Sequence, residues 1–168
     1  MKKMVHKILS YRPTFEVSVG VVLFLLREGK PQFLLLQYPH GHWDFVKGHK
    51  EKNETDEETL KRELLEETGI SQANIVPDFT KVVRFRYTAK GTEKDKRQDK
   101  GNGLFVRKKV IYYAAQTSVT RVELSDEHYD WAWLTYEDAV RKITHKNSRD
   151  VLVSFMELFD TMHKKEYS

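Results

Sequence analysis

The sequence predicts one α/β (α+β) domain in which helices cover both faces of a central mixed sheet. The chain has 168 residues, 39% of them hydrophobic and 32% charged, which is enough for one soluble domain with a proper core but short of two ordinary domains. The predicted strands do not alternate regularly with helices, which argues against a doubly wound parallel sheet. A single domain over residues 1–168 is therefore expected.

The first predicted element is a β-hairpin. Residues 15–27, FEVSVGVVLFLLR, are apolar and β-branched, as in a buried strand. A turn sequence at 28–31 separates them from a second apolar run, QFLLLQY, at 32–38. Residues 39–43 are predicted to form the loop that leads into the next motif.

The next element is a helix over residues 55–68 with an unusually acidic face. Thr55 and Glu58 have the spacing of a capping box, and Gly69 supplies a C-terminal stop. Three carboxylates fall on one side of this helix: Glu63, Glu66 and Glu67. Like charges so close destabilise a helix unless a counter-charge comes from outside, and hard oxygen ligands suit Mg²⁺ or Mn²⁺. The alternative is a solvated acidic face.

The second half of the chain predicts two long strands separated by a charged insertion. Residues 75–89 contain an alternating strand pattern, and 106–117 form the returning strand. Residues 90–103 between them are basic and flanked by glycine, so their composition predicts a mobile loop. The remaining predicted elements are a short strand at 131–135 and amphipathic helices at 136–144 and 150–163.

Positive charge is concentrated in one segment. The formal net charge is +4, and between Lys81 and Lys109 eleven lysines and arginines stand against three acidic residues. An acidic helix followed by a basic segment suits a site that holds metal ions and a polyanion together. A solvated charged hairpin is the alternative for the lysines at 94–100.

Composition excludes several other kinds of protein. The chain has no cysteine, so disulfides, thiolate metal ligands and cysteine nucleophiles are excluded. No apolar run approaches the roughly 20 residues of a membrane span. Residues 1–16 lack the apolar core and cleavage site of a secretory signal. We therefore expect a cytoplasmic protein without membrane association, and no obligate protein partner is inferred.

Residues 48–70, GHKEKNETDEETLKRELLEETGI, fit a known signature at every fixed position. The pattern is G-x5-E-x7-R-E-U-x-E-E-x-G-U, in which U is aliphatic. Its fixed positions are Gly48, Glu54, Arg62, Glu63, Leu64, Glu66, Glu67, Gly69 and Ile70. The sequence therefore resembles the Nudix hydrolases, and this resemblance implies a Nudix-type α/β/α sandwich.

The resemblance also implies an activity, which is divalent-metal-dependent attack of water on a phosphorus atom of a pyrophosphate linkage. It assigns the Mg²⁺ or Mn²⁺ ligands to the three helix glutamates, and it implies that one of them also orients or deprotonates the water. Arg62 would hold a glutamate in position, and Gly48 would let the backbone approach the metal shell. Glu54 would ligate through water or support the loop. A further carboxylate from outside the helix is expected, with Glu127 as the first candidate and Glu123 as the second.

Segments outside the signature are similar to the asymmetrical diadenosine tetraphosphate hydrolases. They are FLLLQ, HW…KGH, the Tyr87–Lys90 pair, KKVIYY at 108–113 and LSDEH…W at 124–133. This similarity implies that His42 and Lys47 contact phosphate or nucleotide, and that Tyr87 and Lys109 contact the phosphate chain or a base. The implied substrate is a nucleoside polyphosphate, with asymmetric cleavage of diadenosine tetraphosphate to ATP and AMP as the preferred reaction.

Two departures from that pattern keep other hypotheses open. Val46 stands where the family usually has proline, and the insertion at 90–103 is longer than in the dinucleotide hydrolases. An RNA 5′-pyrophosphohydrolase or a diphosphoinositol polyphosphate hydrolase therefore remains an alternative, although no RNA-binding module signature is present. The non-enzymatic alternative is a nucleotide-binding sensor that uses the fold without turnover.

Overall fold

A computed structural model describes residues 13–166, with side chains described for residues 13–163. The strands are β1 (Thr14–Arg27), β2 (Lys30–Gln37), β3 (Trp43–Asp44), β4 (Val46–His49), β5 (Asn74–Thr88), β6 (Phe105–Gln116) and β7 (Asp130–Leu134). The α-helices are α1 (Asp56–Thr68), α2 (Gly91–Asp99), α3 (Tyr136–Lys142) and α4 (Lys146–Glu166).

The strands of the described chain form one seven-stranded mixed sheet, as predicted. Its main path runs β3-β2-β1-β6-β5, with β4 added beside β1 and β7 beside β2. Strand β1 is parallel to β6 but antiparallel to β2 and β4. Its first half pairs with β4 from Ser18 to Val21, and its second half pairs with β2 from Phe24 onward. Strand β4, which begins the signature, is thus fixed beside the centre of the sheet.

Helices pack on both faces of this sheet, which confirms the α/β/α sandwich. On one face Leu60 and Leu64 of α1 pack in a buried cluster with Val19 and Val21 of β1. On the other face α3 and α4 pack against alternate residues of the same strands, and Phe155 of α4 lies at the centre of a group of aromatic rings. The two faces of β1 alternate because successive side chains of a strand point in opposite directions.

The termini of α1 have the geometry that its sequence predicts. The Thr55 side chain accepts a hydrogen bond from the backbone of Glu58, and the Glu58 carboxylate accepts one from the backbone of Thr55. Gly69 ends the helix with φ 71°, a left-handed conformation that glycine adopts at low cost. Both ends are therefore fixed by local interactions, independently of the residues that α1 contacts.

The insertion differs from its prediction, because residues 91–99 form helix α2 instead of a mobile loop. The side chain of Arg97 is buried and forms ion pairs with Glu16 of β1 and Glu93 of α2. The ion pair between Arg97 and Glu16 therefore orders a segment whose composition predicts mobility. Composition alone does not reveal such a long-range contact. No helix in the described part of the chain is both long and apolar enough to cross a membrane.

Candidate active site

The three helix glutamates of the signature line a cavity of about 660 Å³ between α1, β4 and the segment at 126–129. Four predicted carboxylates meet there: Glu63, Glu66, Glu67 and Glu127. Arg62, Lys47 and Gly48 line the same cavity, as does Lys96 of α2. The structure therefore brings together the predicted catalytic and metal-binding residues. The second candidate, Glu123, does not line this cavity, and its carboxylate pairs with Arg121 over 2.9 Å.

Arg62 is the central cation of this cavity. Its Nε and Nη2 atoms donate to the Glu54 carboxylate over 2.7 and 3.0 Å. Its Nη1 atom donates to Glu63 over 2.7 Å and to Glu66 over 3.1 Å, and Nη2 also donates to the carbonyl of His49 over 2.9 Å. The bonds to Glu54 contribute most to raising the pKa of Arg62. The guanidinium therefore stays charged and joins α1 to β4.

Glu54 supports this arrangement from the loop before α1. Hydrogen bonds from Arg62 lower the pKa of the Glu54 carboxyl to about 2, and the hydroxyl of Thr59 also donates to it over 2.8 Å. Its carboxylate lies on the far side of the guanidinium from Glu63 and does not line the cavity. Of the two roles that the resemblance implies for Glu54, the contacts favour support of the loop and of Arg62.

Gly48 leaves the space that the Glu63 carboxylate fills. A Cβ atom on residue 48 would lie 1.9 Å from the carboxyl carbon of Glu63, far inside the closest approach of two carbon atoms. Strand β4 fixes the backbone at Gly48 opposite Val19 of β1, so the strand cannot move away without losing that pairing. Glycine is therefore needed here for the Glu63 carboxylate to keep this position, and the reason is close approach rather than an unusual φ angle.

Glu67 is the most buried of the helix glutamates. Burial, together with the nearby charge of Glu63, raises the pKa of its carboxyl to about 8. Burial also raises the pKa of Glu63, and the Arg62 guanidinium opposes that shift. Two buried carboxylates that repel each other favour a proton or a cation between them. The site therefore has more negative charge than Arg62 alone can balance.

His128 lies beside Glu67 and is a residue that the sequence reasoning missed. Its side chain is buried, with Nδ1 2.9 Å from the hydroxyl of Ser125 and Nε2 3.6 Å from Glu67 Oε1. The Nε2 atom has no hydrogen-bond partner within the described structure. Burial lowers the pKa of His128, so the ring is neutral at pH 7. The signal available in the sequence is its position directly after Glu127.

The chemistry of this cavity fits a divalent cation. Its donors are hard carboxylate oxygens, which Mg²⁺ and Mn²⁺ prefer, and Gly48 opens the approach to them. Within the described chain no three His, Asp or Glu side chains are already arranged to hold an ion. Arg62 Nη1 lies between Glu63 and Glu66. The guanidinium uses one oxygen of each carboxylate, so the other oxygen of Glu63 and of Glu66 makes no bond to Arg62 and is available to a cation.

A second cavity, of about 750 Å³, adjoins the acidic one. It brings together three of the predicted substrate contacts: His42, Lys47 and Tyr87. Phe85 and Tyr112 add aromatic surface to its wall. Lys47 lines both cavities, and its ammonium group lies 2.8 Å from Asp44 Oδ2 and 4.2 Å from the centre of the Tyr38 ring. The lysine is therefore fixed at the boundary between them.

Tyr87 is engaged by the insertion. Its hydroxyl donates to the Glu93 carboxylate of α2 over 2.8 Å. Burial raises the pKa of Tyr87 to about 12, and this hydrogen bond adds to the shift. The ring also stacks on Phe85, with centroids 6.1 Å apart. The hydroxyl proton of Tyr87 is therefore already used within the protein, and the contact of Tyr87 with substrate stays a prediction.

Lys109 is the one predicted substrate contact that the structure does not bring to this cavity. Side chains of β6 alternate between the two faces of the sheet, and Lys108 shares a face with Val110 and Tyr112. Lys108 lines the cavity instead, whereas Lys109 lies on the opposite face of the sheet with Arg84 and Arg107. Because KKVIYY places one lysine, one aliphatic residue and one tyrosine on each face of the strand, the segment itself does not distinguish the two lysines.

Comparison with known proteins identifies the class to which this fold and site belong. The model of the NUDIX domain matches residues 14–155. The chain belongs to the Nudix family and is a Nudix pyrophosphohydrolase. Nudix hydrolases generally need divalent metal ions, in agreement with the donor set of the acidic cavity.

The chain is also similar to individual members of known enzyme groups. The chain is similar to the asymmetrical bis(5′-nucleosyl)-tetraphosphatase of Caenorhabditis elegans, with 30% identity over 141 residues that cover 82% of this chain and 92% of that protein. It is 35% identical over 127 residues to the enzyme of the same name from Mus musculus, covering 72% of this chain and 76% of that one. Both relatives carry the same name, asymmetrical bis(5′-nucleosyl)-tetraphosphatase.

Solved structures of other proteins have the same fold as this chain. The C. elegans Ap4A hydrolase in a binary complex superposes with a TM-score of 0.71 and 30% identity, covering 87% of this chain and 98% of that one. The E. coli dihydroneopterin triphosphate pyrophosphohydrolase gives a TM-score of 0.64 at 20% identity over 83% of this chain and 93% of that one. Because the identity is only 20%, the comparison with the E. coli protein shows a shared fold and nothing about function.

Proposed function

We propose that this enzyme hydrolyses dinucleoside polyphosphates with Mg²⁺ or Mn²⁺, and that it cleaves diadenosine tetraphosphate asymmetrically to ATP and AMP. The observation that carries the proposal is the position of Lys47 between an acidic cavity and an aromatic one. A substrate that spans both cavities needs a polyphosphate at one end and a ring system at the other. The names of the relatives in C. elegans and mouse support the same substrate.

The acidic cavity provides the groups for the chemical step. A divalent cation, when bound to Glu63, Glu66 and Glu67, supplies charge neutralisation on the phosphate oxygens. Glu127 faces the same space from outside the helix, where it can ligate or orient the attacking water. Arg62 holds Glu63 at the mouth of this space through a bond of 2.7 Å. The protein thereby fixes its carboxylates before the substrate arrives.

The aromatic cavity provides the groups that bind a nucleoside. His42 stacks on Tyr38 with ring centroids 4.9 Å apart and a plane angle of 13°. Burial lowers the pKa of His42, and the charge of Lys47 adds to this effect, so the ring is neutral at pH 7. Phe85 and Tyr87 offer a second aromatic surface in the same cavity. An adenine ring can stack on these surfaces while Lys47 and Lys108 contact phosphate oxygens.

The proposed reaction consumes one water molecule for each linkage that is cleaved. Its oxygen forms a new bond to a phosphorus atom, and the bridging P–O bond on the opposite side of that phosphorus breaks. The water loses its protons to a carboxylate of the cavity and to solvent. One product keeps three phosphates as ATP, and the other keeps one as AMP.

A substrate panel with Mg²⁺ tests the proposal, with products resolved by chromatography. The panel contains diadenosine tetraphosphate, ATP, a nucleotide sugar, 5′-triphosphate RNA and a diphosphoinositol phosphate. Glu67→Gln tests the site, and Glu57→Gln is the matched control, because Glu57 is an exposed glutamate of the same helix paired only with Lys61. We expect ATP and AMP from the tetraphosphate, loss of activity in Glu67→Gln and full activity in Glu57→Gln.

Each other outcome has a separate meaning. Faster turnover of the RNA or of the inositol compound would contradict the substrate and leave the metal site intact. Activity retained in Glu67→Gln would contradict the metal site. Tight nucleotide binding with no product from any substrate would favour the sensor.

A further inference from the structure

The face of the sheet opposite the aromatic cavity carries four cations at one end. Strand pairing places them in two adjacent rows across β1, β6 and β5. In the first row Phe15 lies opposite Arg107, which lies opposite Arg86. In the second row Val17 lies opposite Lys109, which lies opposite Arg84. These six residues define the basic strip. They line a groove of about 430 Å³ together with Glu16, Phe85 and Lys108.

The strip is open because it lies beyond the N-terminal end of α1. Helix α1 covers the middle of this face, and its first residue, Asp56, accepts a hydrogen bond from Tyr113 of β6 over 2.7 Å. Beyond that contact Phe15 is 70% exposed, and the other residues of its row are not covered by any described element. The fold thus leaves a flat basic surface beside the first turn of α1.

The four cations of the strip are not neutralised within the described part of the chain. None of them has a carboxylate within 4.0 Å among residues 13–163. Asp56 is the carboxylate whose charge reaches Lys109, but it is bonded to Lys50 over 2.6 Å and to Tyr113. A surplus of positive charge on a rigid sheet face attracts a polyanion.

Phe15 identifies the kind of polyanion. Its ring is exposed, and the guanidinium of Arg107 lies 5.3 Å from its centre. Aromatic rings beside a basic groove bind single-stranded nucleic acid, because unpaired bases stack on the ring while the cations contact the phosphates. A lipid surface instead requires several apolar side chains that enter the membrane, as an amphipathic helix provides. The strip has one aromatic ring on a flat sheet and fits the first case.

We propose that the basic strip is a binding site for single-stranded nucleic acid, separate from the hydrolytic site. The side chains of the strip lie on the face of β5 and β6 opposite the aromatic cavity, and Phe85 and Lys108 border both the groove and that cavity. This proposal does not depend on which polyphosphate the enzyme cleaves, because no residue of the acidic cavity takes part in it.

Fluorescence anisotropy with the full chain tests the proposal. The probe is a fluorescein-labelled 15-nucleotide RNA with a 5′-hydroxyl end, measured in EDTA so that neither a pyrophosphate linkage nor a metal contributes. Four phosphate contacts to a single strand predict a slope of about −3 in a plot of log K against log salt. We expect Arg84→Glu/Arg107→Glu to weaken binding at least 10-fold and to reduce the slope to about −1.

A matched control separates this site from general charge effects. Arg27→Glu/Lys30→Glu makes the same change in net charge at two exposed residues, the last of β1 and the first of β2, at the far end of the sheet from the strip. We expect that variant to bind within about 2-fold of the parent, and Phe15→Ala to weaken binding about 10-fold through lost stacking. Circular dichroism and nucleotide hydrolysis by each variant show that the fold is intact.

Three results would overturn the proposal. Equal weakening by the two charge-reversal pairs would show that only net charge matters. Equal affinity for a duplex of the same length would exclude a role for stacking on Phe15. Unchanged RNA binding, together with loss of binding to vesicles containing 30% anionic lipid in the Arg84→Glu/Arg107→Glu variant, would identify the strip as a lipid-binding surface instead.

Discussion

Two ion networks of opposite sign lie next to each other in this enzyme. In the first, Arg62 is one cation among Glu54, Glu63 and Glu66. In the second, Glu16 is one carboxylate among several basic groups. The first network has surplus negative charge and the second has surplus positive charge. Each surplus would match one part of the metal–polyphosphate complex that the proposed function requires.

The second network forms where α2 meets the sheet. Glu16 accepts a hydrogen bond from Arg97 of α2, and its carboxylate lies 2.9 Å from His49 Nε2 and 3.5 Å from Lys108 Nζ. Burial raises the pKa of Glu16, but the bonds from His49 and Arg97 and the charge of Lys108 more than offset it, so that the pKa falls to about 2. One carboxylate thus holds three basic groups beside the aromatic cavity.

His49 joins the two networks. Its carbonyl accepts a bond from Arg62, and its ring contacts Glu16. Because His49 follows Gly48 in β4, any movement of this strand changes both networks. Substitutions in the first network should therefore mainly affect the chemical step, and those in the second should mainly affect substrate binding.

Gly48→Ala is the change with the largest expected effect. The added Cβ atom would overlap the Glu63 carboxylate at 1.9 Å and force it out of the cavity. A displacement of about 1 Å in a catalytic group can reduce the rate about 100-fold, and we expect at least this loss in kcat. Steady-state hydrolysis of diadenosine tetraphosphate measures it.

A double-mutant cycle shows whether the effect acts through Glu63. If it does, Gly48→Ala adds little further loss in a Glu63→Ala background, because the overlapping carboxylate is absent. Independent losses in the two backgrounds would show that Gly48 acts on the strand itself. Mn²⁺ binding, measured by electron paramagnetic resonance, should be weaker in Gly48→Ala than in the parent, whereas the unfolding midpoint should not change.

Arg62→Lys tests the acidic network with its charge retained. A lysine ammonium cannot contact Glu54, Glu63 and the His49 carbonyl at the same time, as the guanidinium does. We expect kcat to fall 10- to 100-fold, the range observed when partners of metal ligands are removed. Lys61→Arg on the exposed side of α1 is the control and should change nothing. Full activity in Arg62→Lys would mean that charge alone is sufficient.

The two networks also differ in how far they could be predicted from the sequence. The first lies within residues 48–67, where helical spacing places Glu63, Glu66 and Glu67 together and Arg62 beside them. The second joins Glu16, His49, Arg97 and Lys108, which are distant along the chain and share no local pattern. Its order depends on strand pairing between β1 and β6 and on the burial of Arg97. Local sequence therefore predicts neither the order of the insertion nor that Lys108, rather than Lys109, lines the aromatic cavity.

Arg97→Met should separate binding from catalysis. The substitution removes the bonds from α2 to Glu16 and Glu93, and it frees Glu93 from its place beside Tyr87. We expect the free energy of unfolding to fall by about 2 kcal/mol, as for lost hydrogen bonds between charged groups. KM should rise several-fold while kcat changes less than 2-fold. Lys94→Met, on the exposed side of the same helix, is the control. A loss confined to kcat would contradict the assignment of this network to binding.

Glu16→Gln has the smallest expected effect, and its pH dependence is the sharpest test of the second network. The pKa of Glu16 in the folded protein, about 2, lies below its ordinary value of 4.5. The carboxylate therefore stabilises the fold fully above pH 4.5, and this contribution is lost as the pH falls toward 2. We expect Glu16→Gln to unfold at lower urea concentration than the parent at pH 5.5, and the difference to shrink steadily by pH 3. Glu157→Gln, at an exposed position of α4, should show no such trend. A difference that stays constant from pH 5.5 to 3 would mean that Glu16 acts through packing, and the basic groups around it would then be held by something other than its charge.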